Sequence, residues 1–108
     1  MFGLLKFEKI SPDEVKKLLG SGKPYKLVDV RSPQEFKSGH IPTSISLPLD
    51  LLKASAAKSL PDKDAEIIVY CQSGMRAKTA YAQLADMGYT NLCLLGGIMQ
   101  WPYEITTK

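Results

Sequence analysis

Glu66-Ile67-Ile68-Val69-Tyr70-Cys71-Gln72-Ser73-Gly74-Met75-Arg76 is the stretch that decides the fold of this chain. From Glu66 to Tyr70 it is rich in β-branched and aromatic residues, the composition of a central strand buried on both faces. Beyond Arg76, the residues Ala77, Ala80, Tyr81, Leu84, Ala85 and Met87 recur at helical spacing, and Gly88 supplies a stop. A buried strand that passes through a tight loop into a helix predicts a parallel sheet flanked by helices.

The sequence on either side repeats that alternation. Lys6 to Ile10 reads as a first strand, followed by Ser11-Pro12-Asp13-Glu14. Ser11 suits an N-cap, Pro12 the first helical position, and Glu14 the reciprocal partner three residues on. Val15, Leu18 and Leu19 give that helix its apolar stripe, and Gly20 or Gly22 ends it. Tyr25 to Val30 is a second apolar run. Ser32-Pro33-Gln34-Glu35 then repeats the same cap for a short helix that carries Phe36 and stops near Gly39. Ser44 to Leu47 predicts another strand, and Pro48 opens a helix bearing Leu49, Leu51, Leu52 and Ala56 that ends before Pro61. Asn91 to Leu95 predicts the last strand, closed by Gly96-Gly97, with a short helix over Ile98 to Trp101. The class is α/β.

Composition bounds what such a chain does. With 108 residues, 44% of them hydrophobic and 23% charged, residues 1–108 are expected to form one domain around one core, without disulfides or a structural metal. The formal charge of +3 comes from lysines and arginines scattered along the chain rather than gathered in a stripe. That pattern argues against nucleic acid and would assist the approach of a small anion. Cys71 and Cys93 lack paired metal-ligand spacing and His40 is the only histidine, so no metal is expected, and nothing calls for a nucleotide or organic cofactor. No stretch reaches the length of a signal segment or membrane span, which sets cytoplasm as the expected location. The apolar start at Phe2, Leu4 and Leu5 is suited to packing on the domain or on a neighbour.

Cys71 stands where chemistry is expected. Ligands of parallel sheets bind beyond the carboxyl ends of the strands. A helix that begins a few residues later offers unpaired N–H groups and a partial positive charge. A loop curling round its first residue aims successive amides inward, favouring an anion on sulfur. Gly74 permits the tight path, and Arg76 adds a permanent charge with a planar fork of donors. A strand-end cysteine is commonly just a small buried hydrophobe, but the Gly and Arg spacing favours the chemical reading. Cys93, between Leu92 and Leu94, reads as core.

Three motifs in order then resemble those of the rhodanese-homology domain, over nearly the whole chain. They are Val28-Asp29-Val30-Arg31 with Glu35-Phe36 and Gly39-His40-Ile41-Pro42, the loop Cys71 to Arg76, and Gly96-Gly97-Ile98-Met99-Gln100-Trp101. The resemblance implies a central, mostly parallel five-stranded sheet with helices on both faces. It further implies a sulfurtransferase in which catalytic Cys71 takes sulfane sulfur from a small anionic donor such as thiosulfate and passes it on as a persulfide. The acceptor would be cyanide or a thiol, including a protein thiol such as thioredoxin. By the same resemblance the backbone amides of Gln72, Ser73, Gly74, Met75 and Arg76 form the substrate cradle, and the charge of Arg76 favours anionic donors. Asp29, Arg31, Glu35 and His40 are expected to build a structural polar network, and Trp101 to pack on the core. Two rivals stand beside this reading. Related cysteine phosphatases place one more residue between cysteine and arginine, and have histidine where this chain has Tyr70. A regulatory module or a sulfur relay to a dedicated partner would use the same cradle.

Overall fold

Serine, proline and glutamate at matched spacing start two helices. The computed structural model describes residues 6–108, so the apolar start at Phe2, Leu4 and Leu5 lies outside the described residues. Helix α1 (Pro12–Leu19) begins where Ser11 Oγ accepts the Glu14 N–H at 3.1 Å and the Glu14 carboxylate accepts the Ser11 N–H at 3.0 Å. Helix α2 (Pro33–Ser38) uses Ser32 and Glu35 in the same reciprocal way. Each cap of this kind stabilises its helix by about 1 kcal/mol.

The sheet is parallel throughout, in the order β2-β1-β3-β4. Its strands are β1 (Lys26–Asp29), β2 (Ile45–Ser46), β3 (Ile67–Cys71) and β4 (Leu92–Gly97). Among the described residues there are four strands rather than the expected five. Lys6 to Ile10 contributes only a bridge from Lys9 to Leu94, supported by the Ile10 N–H on the Leu94 carbonyl at 3.1 Å and the Leu94 N–H on the Glu8 carbonyl at 2.7 Å. The helix cap at Ser11 ends the pairing there. After β2, a 3₁₀ turn (Leu49–Leu51) leads into α3 (Leu52–Ser59), and a second such turn covers Ile98–Gln100. Gly96 and Gly97 lie inside β4 rather than closing it.

Every residue of β3 is buried, and its alternation divides the core. Val69 and Cys71 face α3 and α4 (Met75–Asp86), among Leu52, Ala77, Ala80 and Leu84. Ile68 and Tyr70 face the opposite layer, with Val15 of α1 and Trp101. Helices therefore cover both faces, as expected. No helix among the described residues is long and apolar enough to cross a membrane.

This order places the candidate residues. The chain leaves β1 toward β2 on one side, then returns to lay β3 on the other. The reversal opens a crevice beyond the carboxyl ends of β1 and β3, where Asp29 pairs with Tyr70, one residue short of Cys71.

Candidate functional site

Cys71 ends β3 facing the α4 layer, and its side chain is fully buried. The loop after it turns back at Gly74, whose φ of 111° lies in the region that glycine alone occupies at no steric cost. The turn brings the Gly74 N–H to 3.0 Å from Cys71 Sγ, and the first turn of α4 brings the Ala77 N–H to 3.3 Å. Two amides thus donate to one sulfur. The helical ladder begins with the Lys78 N–H on the Gly74 carbonyl at 3.1 Å, so the amides of Met75 and Arg76 precede it and have no intrahelical partner. Inward-facing amides at the start of a helix form a concavity suited to an anionic group.

Gly97 lets the loop close. A bulge in β4 sets Tyr70 against Gly96 and Cys71 against Gly97. A side chain at Gly97 would strike the Gln72 carbonyl oxygen and come within 2.9 Å of Ser73 Cα. That carbonyl also accepts the Met99 N–H at 3.2 Å, fixing the first residue of the loop to the turn after β4.

Beside the loop run two ion pairs. Arg31 holds the Asp29 carboxylate with bonds of 2.7 to 3.1 Å, and both residues are buried. Its remaining donors reach the Gly39 carbonyl at 2.7 Å and Gln72 Oε1 at 3.3 Å. Burial alone would weaken the charge on Arg31, but its bonds to Asp29 outweigh burial and raise its pKa. Arg76 grips Glu35 with both arms of its fork, at 2.7 and 3.0 Å. His40 is buried and stacked on Phe36, with its ring nitrogens 2.8 and 3.0 Å from the Phe36 and Lys108 carbonyl oxygens. Trp101 packs in the core and also lines a cleft of about 470 Å³ with Arg31, Glu35 and Gln72.

The family model of the rhodanese-like domain matches residues 11–103. The chain belongs to this family. It is 35% identical over 94 residues to a sulfurtransferase of Allochromatium vinosum, with 86% of each chain covered. The thiosulfate sulfurtransferase PspE of Escherichia coli is 35% identical over 71 residues, which are 66% of this chain and 68% of that one. A solved rhodanese-like domain protein from Staphylococcus aureus superposes with a TM-score of 0.80 at 28% identity, over 94% of this chain and 99% of the other.

Within this rhodanese-like domain, the structure brings the Gly74 amide to Cys71 Sγ, and beside it the amide of Ala77, which lies one residue beyond the stretch Gln72 to Arg76. Among the described residues, no amide of Gln72, Ser73, Met75 or Arg76 bonds to the sulfur. Gln72, Ser73 and Met75 stand exposed at the rim. The sequence gives no local sign of Ala77, because its amide returns to the sulfur only through the curvature of α4. Glu35, read as part of a structural network, also reaches the loop through Arg76.

The Arg76 bonds, aided by those of Ser32, hold the Glu35 carboxyl at about 2 against an ordinary value of 4.5. An acid pulled down in this way contributes stability that is fully present above its ordinary range and is lost as pH falls through about 2. The two side chains are 39% and 33% exposed, so screening reduces that contribution to about 1 kcal/mol. Urea unfolding should show Glu35→Gln less stable than the natural protein at neutral pH, with the gap narrowing between about pH 4.5 and pH 2. A gap unchanged across that range would contradict the pairing.

Proposed function

We propose that this rhodanese-like domain is a sulfurtransferase that carries sulfane sulfur as a persulfide on Cys71, with residues 1–108 acting as one unit. The observation that carries the reading is the pair of N–H groups, from Gly74 and Ala77, on one buried sulfur at the end of β3. In the first half-reaction the Cys71 thiolate attacks the outer sulfur of a donor such as thiosulfate. The new bond joins that sulfur to Cys71, the old S–S bond breaks, and its electron pair leaves with sulfite. In the second, a thiolate or cyanide attacks the outer sulfur and returns the Cys71 thiolate, giving a new persulfide or thiocyanate. Charge balances in both steps, no oxidant is needed, and the same amides serve the thiolate and the persulfide anion. The exposed rim of Gln72, Ser73 and Met75, with Arg76 behind it, is where a small anionic donor would enter.

A protein thiol, of the kind thioredoxin carries, suits the acceptor step. Met75 in the loop and Met99, bonded through its N–H to the Gln72 carbonyl, are 74% and 66% exposed. Exposed methionines adapt to varied surfaces. The phosphatase reading is disfavoured by Arg76, whose fork is engaged by Glu35 rather than open to a phosphate.

Turnover with thiosulfate and a small thiol tests the assignment. Sulfite release without phosphate release from an aryl phosphate is expected, and phosphate release lost on Cys71→Ser would overturn it. Arg76→Ala should reduce kcat/KM for thiosulfate about ten-fold, because it removes a cation and leaves the Glu35 carboxylate unpaired beside the loop. Attack of a thiol on the preloaded persulfide should slow less, as read by single-turnover mixing. Equal losses in both steps would count against a donor-side role.

A further inference from the structure

The charges at the mouth of the loop cancel. Asp29 is matched by Arg31 and Glu35 by Arg76, each pair through at least two hydrogen bonds. Arg76 lines a cleft of about 510 Å³ on one side, and Glu35 lines the cleft of about 470 Å³ on the other, so the pair forms the wall between them. Asp50 and Lys53, also lining the larger cleft, add one charge of each sign. What the cradle then offers an anion is chiefly the amides of the loop and helix start. A free cation beside the cradle would favour a dianion over a monoanion, because the attraction scales with the charge of the donor.

We propose that Glu35, by occupying both arms of Arg76, sets the donor charge that this site accepts, favouring a singly charged sulfane-sulfur donor over the thiosulfate dianion. The proposal rests on the sulfur-transfer reading of Cys71 and makes Glu35 a positioning residue for specificity. Thiosulfate and methanethiosulfonate are suitable probes. Both present an outer sulfur on a sulfonyl sulfur, but they carry two charges and one. Each delivers that sulfur to the Cys71 thiolate, and the electron pair of the broken bond leaves with sulfite or methanesulfinate.

Glu35→Gln keeps a residue able to cap α2 and releases Arg76. The energy of an anion in the added positive potential scales with its charge. The KM for thiosulfate is therefore expected to fall about ten-fold and that for methanethiosulfonate only about three-fold, with kcat changing less than KM for either. Arg76→Ala should then raise the thiosulfate KM more in the Glu35→Gln background than in the natural protein, since only there is the fork free to bond the donor. Equal KM changes for both donors, a rise with thiosulfate, or strict additivity of the two substitutions would overturn the assignment. Should the variant fail to fold, the natural protein supplies a second measurement. With its mouth charges paired, its thiosulfate KM should vary less than about two-fold between roughly 0.02 and 0.2 M salt, and a steep rise would overturn the proposal. Intact-mass analysis of the natural protein separates the two levels. A persulfide on Cys71 with charge-independent donor kinetics would sink the role of Glu35 alone. No persulfide from either donor would sink the sulfur-transfer reading as well.

Discussion

Cys71→Ser is expected to abolish sulfur transfer, by a factor of about 10⁴ or more, in a protein that still folds. A serine hydroxyl stays protonated near neutral pH and forms no persulfide, so the carrier atom itself is lost rather than weakened. The fold should survive, since Oγ occupies nearly the same volume and the Gly74 and Ala77 amides offer it hydrogen bonds in place of those to sulfur. Some stability is lost by placing a hydroxyl beside Ala77 and Val69, about 1 to 2 kcal/mol. Steady-state turnover and urea unfolding of the same preparation read the two effects separately. A folded serine variant with transfer within ten-fold of the natural protein would place the carrier elsewhere.

The second large effect is expected far along the chain, at Gly97. A methyl group there would overlap the Gln72 carbonyl oxygen and lie 2.9 and 3.0 Å from Ser73 Cα and carbonyl carbon. Each of those neighbours is backbone, so no side chain can swing aside, and either the loop or β4 must move. Gly97→Ala is expected to cost about 2 to 4 kcal/mol and to reduce sulfur transfer about 100-fold, because the amides aimed at Cys71 would be displaced. Gly96→Ala provides the contrast. Its methyl would meet nothing within 4 Å, and its cost is the strain of a φ near 99°. It should lose stability while keeping more of its activity. A Gly97→Ala protein with natural stability and turnover would contradict the packing of the loop against β4.

Much of this arrangement is local in sequence and so was legible there. Ile67 to Tyr70 is apolar enough to demand burial on both faces, Gly74 follows Cys71 at the distance a tight turn needs, and Ser11 and Ser32 announce their helices through Glu14 and Glu35. The early and closing motifs named the family from the same residues. What escaped depends on contacts between distant segments. Whether Lys6 to Ile10 pairs as a strand or as one bridge is settled by the helix cap that interrupts it. Gly97 gains its importance from the parallel register that sets it against Cys71. The Glu35–Arg76 pair spans 41 residues and converts a cation expected to face the donor into one already bonded.

The most direct test of the account is the intact mass of the protein after incubation with thiosulfate or methanethiosulfonate, alongside Cys71→Ser. The expected result is a gain of one sulfur, about 32 Da, only where Cys71 is present and removed by cyanide or a thiol. An unchanged mass with both donors and a reduced Cys71, or a gain that persists in the serine variant, would contradict it.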